Sequence, residues 1–447
     1  MWTRMRLKNF RGYSDTGLQE LRPITILIGP NGGGKSTLLK FFMALKQTAE
    51  SSDNATTLIT SVDLDKRGYV DLGLYSDYVY QGNTERKIHL FLAWESLRKN
   101  GRKKQVGESV NALDVQLAFR QTGKQVVVQK LTYREESQAS ESVVAGKVLA
   151  SLSRQRRGAY KPDMPHKQDW KIGGKDTSKK YEPYKFYRFS PDFLADVTSQ
   201  AEMALRSYVQ EFENQLFQTY YLGPLRENPQ RYYETTGERP GDLGIKGQRI
   251  GAVLYADKDD NQEKIIKLTS KWLNKLEIAD SISLSRIAKG NLFHLNIRGR
   301  NQDYDTNIID YGFGVSQILP VIVESLYSPD NATLLIEQPE IHLNAHQQLE
   351  LPNLFVDLMK TSSKQFIIET HSEYFLKRLG TLVAKGELAP EEVILYYCDT
   401  DEHGSHMKPI EFDELGVASW WPEQFLSEGF EGSAEHLEAM ESRQEVE

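Results

Sequence analysis

The sequence predicts an α/β fold: a mixed, mainly parallel sheet, an antiparallel β lobe, and an inserted helical, basic lobe. Three observations carry this. The apolar run 23–28 reads as a buried strand that ends in a glycine-rich loop and leads into an amphipathic helix. Residues 86–135 hold strand-like runs at 88–94, 115–119 and 126–133, the last two a hairpin around Thr122-Gly123-Lys124. The last third alternates helix and strand, with strands at 333–336, 365–368 and 393–397, the rhythm of a βαβ sheet.

The remaining elements follow in order. Met5, Leu7 and Phe10 alternate with Arg6, Lys8 and Asn9, which predicts a short strand. Leu38, Leu39, Phe42 and Leu45 share one face of the helix after the glycine-rich loop. Residues 145–218 begin and end with helical patterns, the second carried by Met203, Leu205, Tyr208, Phe212 and Leu216. Tyr220-Tyr221-Leu222 suits a short strand ended by Gly223-Pro224. Ile265, Leu268, Trp272 and Leu276 form a helical stripe, and 282–284 with 292–297 predict a hairpin turning at Lys289-Gly290-Asn291. The expected organisation is 1–85 for the first half of the core and 86–144 for the antiparallel lobe. The helical, basic insertion takes 145–218, the second core half 219–400, and an extension with an acidic tail 401–447.

Bulk properties narrow the function classes. The chain has 447 residues and a net charge of −7, which argues against a wholesale nucleic-acid coat and leaves room for a local basic patch. The single cysteine, Cys398, excludes an intrachain disulfide and a multi-cysteine zinc site, and fits the cytoplasm. No apolar run reaches the roughly 18 residues of a membrane span, so no membrane association is expected. The N-terminus leads straight into a strand and does not read as a signal peptide.

Gly29-Pro30-Asn31-Gly32-Gly33-Gly34-Lys35-Ser36 satisfies G-x-x-x-x-G-K-[ST] between a buried strand and a helix. Glycines let backbone N–H groups turn inward around phosphate oxygens, and the helix N-terminus adds its positive dipole end. The ATP-binding candidates are Gly29, Asn31, Gly32, Gly33, Gly34, Lys35, Ser36 and Thr37; Lys35 reaches the β- and γ-phosphates and Ser36 offers a hydroxyl to Mg²⁺. Leu334-Leu335-Ile336-Glu337-Gln338-Pro339-Glu340 is an apolar strand ending in carboxylates, where Mg²⁺ needs a ligand.

Those segments, with Tyr311-Gly312-Phe313-Gly314-Val315-Ser316-Gln317 between them and Ile368-Glu369-Thr370-His371-Ser372 after, resemble the ABC-type ATPases of the RecF, SMC and OLD group. The resemblance covers roughly 1–85 and 215–400. Tyr221-Leu222-Gly223-Pro224-Leu225-Arg226 and Gly416-Val417-Ala418-Ser419-Trp420-Trp421-Pro422 are similar to segments of its compact bacterial members from prophages and defence islands. The resemblance implies an ABC-type ATPase core. It makes 311–317 a signature motif in which Gly312, Gly314, Ser316 and Gln317 act on ATP held by another subunit. It makes His371 a switch histidine at the γ-phosphate, brings Arg11 to the nucleotide, and gives Glu337 and Gln81 to Mg²⁺. It implies a homodimer or higher homo-oligomer with shared ATP sites.

One departure bears on chemistry. That group carries Asp then Glu after the acidic strand; this chain has Glu337 then Gln338. Gln338 can hydrogen-bond an attacking water but cannot accept its proton. Glu340 is a candidate substitute, so Gln338, Glu340 and His371 are the catalytic candidates of an ATPase expected to turn over slowly.

Other signals stay open between readings. His342 and His346 beside Glu340 suit a metal site or, on the resemblance, a subunit contact; His403 and His406 read as a surface turn. Residues 154–190 hold 11 Lys/Arg against 4 Asp/Glu, with Tyr160, Trp170, Tyr181, Tyr184 and Tyr187 interleaved. That composition suits DNA or another nucleic acid, and equally a solvated insertion or a docking surface for an acidic partner. No long heptad run interrupts the core, so a long-armed SMC protein is not expected. The resemblance implies a nucleotide-gated sensor or scaffold of an antiphage defence system, controlling a separate effector protein such as a nuclease or toxin. The alternatives are a RecF-like DNA-repair ATPase and an ATP-dependent scaffold with negligible hydrolysis.

Overall fold

The computed structural model describes residues 1–62, 68–95, 109–122, 124–137, 146–156, 158–165, 172, 181–259, 263–287 and 291–422. Its fold is mixed α/β. The parallel heart of the main sheet runs in the order Thr219–Leu222, Thr333–Glu337, Gln365–Glu369, Ile24–Ile28, Val393–Asp401. Such strands are covered on both faces, which is why they read as continuous apolar runs. Ile24, Ile26 and Ile28 enter one core while Leu27 enters the other. The core entered by Leu27 holds the helix Lys35–Glu50, and the core entered by Ile24, Ile26 and Ile28 holds the helices Phe313–Tyr327, Pro352–Ser362 and Glu373–Ala384.

The antiparallel strands extend the same sheet. Past Val393–Asp401 come Gly404–Ile410, Tyr13–Asp15 and Trp2–Phe10, then Ile88–Trp94, Ser109–Arg120, Gln125–Ser137, Lys147–Arg154 and Tyr160–Asp163. The helical reading at the start of 145–218 is corrected here: Lys147–Arg154 is a strand, antiparallel to Gln125–Ser137. The long neighbouring strand offers a ready hydrogen-bonding edge, and that tertiary partner overrides local propensity. A second, four-stranded sheet is built from Tyr233–Glu234, Ser281–Arg286, Leu292–Arg298 and Asp305–Asn307. The turn expected at 289–291 lies mostly outside the described residues, as do Gly123 and the acidic tail from 423 onward.

The helix Ser199–Phe217 buries Leu205, Phe212 and Leu216 but leaves Met203 exposed. Of the interleaved aromatics, Tyr160, Tyr181 and Tyr187 are buried rather than offered as stacking platforms. Arg157, Lys167, Trp170, Lys171, Lys175, Lys179 and Lys180 lie outside the described residues. Lys185 is buried and its ammonium donates to Ala49 O and Ser51 O, both at 2.8 Å, at the C-terminal end of the helix Lys35–Glu50. Lys46 of that helix donates to Phe217 O at 3.0 Å and Thr219 O at 2.7 Å, at and just past the end of the helix Ser199–Phe217. Each cation meets the negative dipole end of a helix, Lys185 that of Lys35–Glu50 and Lys46 that of Ser199–Phe217, and satisfies carbonyls left over there. Among the described residues no helix is long and apolar enough to cross a membrane.

One buried acid makes stability depend on pH. Glu324, on the helix Phe313–Tyr327, accepts from Leu243 N at 2.8 Å with one oxygen, and its other oxygen has no partner. Burial pushes its carboxyl up to about 7; the Leu243 amide, Lys46 and Lys364 oppose this and Asp242 adds to it. A raised folded pKa means the native state holds the proton that the unfolded state gives up. The contribution is therefore present below the ordinary value of 4.5 and is lost as pH rises through about 7. The loss amounts to about 3 kcal/mol at 1.36 kcal/mol per unit. Thermal melts should show wild type losing several degrees between about pH 5 and about pH 8 relative to Glu324→Gln. Parallel melting curves across that range would contradict it.

Candidate nucleotide site

The glycine-rich loop leaves the strand Ile24–Ile28 and ends at the first turn of the helix Lys35–Glu50. Gly29 has φ 133°, and a Cβ there would run into the Cys398 carbonyl of the neighbouring strand. Gly34 caps the helix at φ 95°, and a Cβ there would sit 2.7 Å from the Tyr13 hydroxyl. The loop is thus pressed between two strands, and only glycine fits both approaches. Lys35 is 3% exposed and its ammonium donates to Gly29 O at 2.9 Å and Pro30 O at 2.8 Å, which centres the charge inside the loop. Burial lowers its pKa, while Glu369, Cys398 and Glu337 pull it back up. Asn31 and Gly32 are exposed at the tip, and Thr37 N donates to Gly34 O at 3.1 Å.

Two strand ends deliver carboxylates to this loop. Glu337 and Glu369 are partners in the parallel register, and Ser36 Oγ donates to Glu369 Oε2 at 2.7 Å. Tyr221 donates to Glu337 Oε1 at 2.6 Å. Burial and the neighbouring Glu369 raise the Glu337 pKa, whereas Tyr221, Lys40 and Ser36 lower it. A hydroxyl and two carboxylates beside a buried lysine form a hard oxygen donor set. That chemistry fits Mg²⁺, which takes one or two carboxylates together with substrate phosphates. Glu369 and Tyr221, whose side chains contact Ser36 and Glu337, are residues that sequence reasoning quoted without giving them a role. The signal was available: 365–369, like 333–337, is an apolar strand closing on a carboxylate.

The turn after Glu337 sets the rest. Gln338 adopts φ 46°, and its N–H donates to Glu369 O at 2.7 Å. Its side chain makes no hydrogen bond with a described residue. Glu340 is 7% exposed, and its Oε1 accepts the His371 N–H at 2.8 Å. Glu340 Oε2 and His371 Nε2 have no partner among the described residues. Burial and Lys35 hold the His371 imidazole below its usual range, so the ring is neutral at pH 7. Burial raises the Glu340 pKa against its hydrogen bonds and Arg226. Glu340 is thus placed to hold the switch segment's backbone.

The remaining candidates are placed unevenly. Gly312, at φ 141°, caps the helix Phe313–Tyr327, and Phe313 is 49% exposed and packs edge-on to His342 at 4.8 Å. Gly314 lies against the His342 carbonyl. Ser316 and Gln317 are buried, with Ser316 Oγ donating to Phe313 O at 2.6 Å, so the outward surface of the motif is Gly312 and Phe313. Arg11 has φ 48° and donates its N–H to Tyr78 O at 2.8 Å. Gln81 bonds Tyr80 and Arg86, both at 3.4 Å, rather than Ser36 or either carboxylate. Among the described residues no three His, Cys, Asp or Glu side chains gather to hold a metal, and His346 faces Glu277 instead.

No curated protein matches the chain. Similar solved structures include an SMC head bound to the C-winged helix domain of ScpA, at 12% identity and TM-score 0.45, covering 92% of this chain and 98% of that one. Others are the SMC head domain from Thermotoga maritima, at 12% identity and TM-score 0.39 over 92% and 99%. An Smc head with an extended coiled coil bound to the C-terminal domain of ScpA derived from Pyrococcus furiosus has 10% identity and TM-score 0.38 over 92% and 96%. The AAA_21 family model, described as "AAA domain, putative AbiEii toxin, Type IV TA system", matches residues 24–377. That match spans the glycine-rich loop, the acidic turn and His371, and the chain belongs to this family of P-loop ATPases.

Proposed function

We propose that the chain is a slow, Mg²⁺-dependent ATPase that works as a nucleotide-gated sensor or scaffold in bacterial antiphage defence and controls a separately encoded effector. The observation that carries the reading is the contact of Ser36 with Glu369, beside Glu337 and the buried Lys35, with Gln338 standing where a proton-accepting carboxylate is expected. Lys35 and the loop amides hold the phosphates. Ser36 and Glu337, with Glu369 behind Ser36, would hold Mg²⁺, which would supply neutralisation of the phosphate charge. Gln338 orients water, and neutral His371 offers a hydrogen bond to the γ-phosphate. Two chains pair so that Gly312 and Phe313 of one face the nucleotide of the other. The family description, with its reference to a Type IV TA system, agrees with a chain that works beside a second protein.

The experiment is to express the chain with its gene neighbours and follow assembly and growth. ATP with Mg²⁺ should convert monomer to dimer or larger in light scattering, and a neighbouring gene product should co-purify in a nucleotide-dependent way. Growth arrest by this chain alone, with no neighbour needed, would make it the effector itself and refute the sensor reading. The DNA-repair alternative draws little from the described part of 154–190, since Lys185 is buried and Arg188 is paired with Glu213.

A further inference from the structure

Arg226 lies 6% exposed beneath the acidic turn. Its Nη2 donates to Glu337 O at 2.7 Å, and its Nη1 to Gln338 O and Pro224 O, both at 3.1 Å. Burial lowers its pKa to about 10 while Glu340, Glu337 and Tyr221 pull it upward, so it remains a cation at neutral pH. A buried guanidinium whose donors go to main-chain carbonyls fixes backbone geometry. The geometry it fixes is uncommon: Gln338 has φ 46°, a left-handed conformation that side-chain-bearing residues seldom adopt. The Gln338 N–H is held by Glu369 O and its carbonyl by Arg226, so both flanking peptides are pinned. The peptide before it carries the Glu337 carbonyl that Arg226 also holds.

We propose that Arg226 is a positioning residue for hydrolysis. It keeps Gln338 in the left-handed turn that aims its amide at the attacking water. The proposal rests on the Mg²⁺-ATPase reading above. Arg226 itself touches neither nucleotide nor water in this role; it acts through Gln338, whose carbonyl it binds.

A double-mutant cycle separates this role from a general structural one. Wild type, Arg226→Lys, Gln338→Ala and the double variant are compared for kcat, KM for ATP and Tm. Arg226→Lys should lower kcat about 10- to 100-fold with KM within about 3-fold of wild type. The double variant should be no slower than Gln338→Ala alone, because the turn then has no amide left to aim. Losses that multiply in the double variant, or wild-type kcat in Arg226→Lys, overturn the proposal. Arg226→Gln is the second variant: if it and Arg226→Lys both lose ATP binding, Arg226 serves the fold and the proposal fails. A wild type without turnover defeats the ATPase reading and this proposal together. A wild type with turnover that Arg226→Lys matches defeats this proposal alone.

Discussion

Lys35→Ala is expected to lower kcat/KM for ATP by about 100-fold or more, the scale set by removing one preorganised charge donor from a phosphoryl-transfer site. The physical basis is the position of the ammonium. It is buried in the loop's centre and already coordinates Gly29 O and Pro30 O, so little reorganisation is needed to meet phosphate oxygens. The same substitution removes two hydrogen bonds, at about 1 kcal/mol each, and a melting curve must accompany the kinetics. Loss of turnover with a Tm lowered by only a few degrees assigns the effect to the site. Unchanged turnover means the loop does not hold the reacting phosphates. If the chain acts in defence, phage protection should fall with the same variant.

The second large effect runs the other way. Gln338→Glu should raise kcat about 10- to 100-fold, because a carboxylate accepts the proton that an amide cannot. The substitution is nearly isosteric, and Gln338 has no side-chain hydrogen bond to lose. The added carboxylate would join Glu337 and Glu369, so its benefit should grow with Mg²⁺ concentration. A Glu variant no faster than wild type, with ATP bound equally well, would show that the glutamine is not what limits hydrolysis. Steady-state phosphate release at saturating ATP is the measurement.

How far the sequence was legible depended on the distance over which each feature is determined. The glycine-rich loop is local: its glycines, Lys35 and Ser36 lie within eight consecutive residues, 29–36, and strand, loop and helix form as read. The parallel strands were legible because burial on both faces leaves uninterrupted apolar runs such as 333–337. Glu369 was harder, because its role comes from sheet register, which sets it beside Glu337 across 32 residues of chain. Arg226 was harder still, since its three carbonyl partners are defined only by the folded turn. Residues 147–154 read as helix because local pattern does not contain the neighbouring strand that claims them. The aromatics of 154–190 look the same by composition whether they stack on bases or fill a core, and Tyr160, Tyr181 and Tyr187 fill the core. Ser316 carries the right residue type for a phosphate contact, yet its hydroxyl turns to its own helix at Phe313 O.

The central claim is that this site holds ATP longer than it cleaves it, because Gln338 takes the place of a proton acceptor. The direct measurement is a single-turnover quench: excess protein mixed with Mg²⁺-ATP, stopped at intervals, and the bound nucleotide separated. The account predicts that ATP remains the main bound species after about 1 s, roughly ten times the interval of a typical enzyme turning over at about 10 s⁻¹. The Gln338→Glu variant should by then hold mostly ADP. Wild-type protein carrying mostly ADP at that time would contradict the claim.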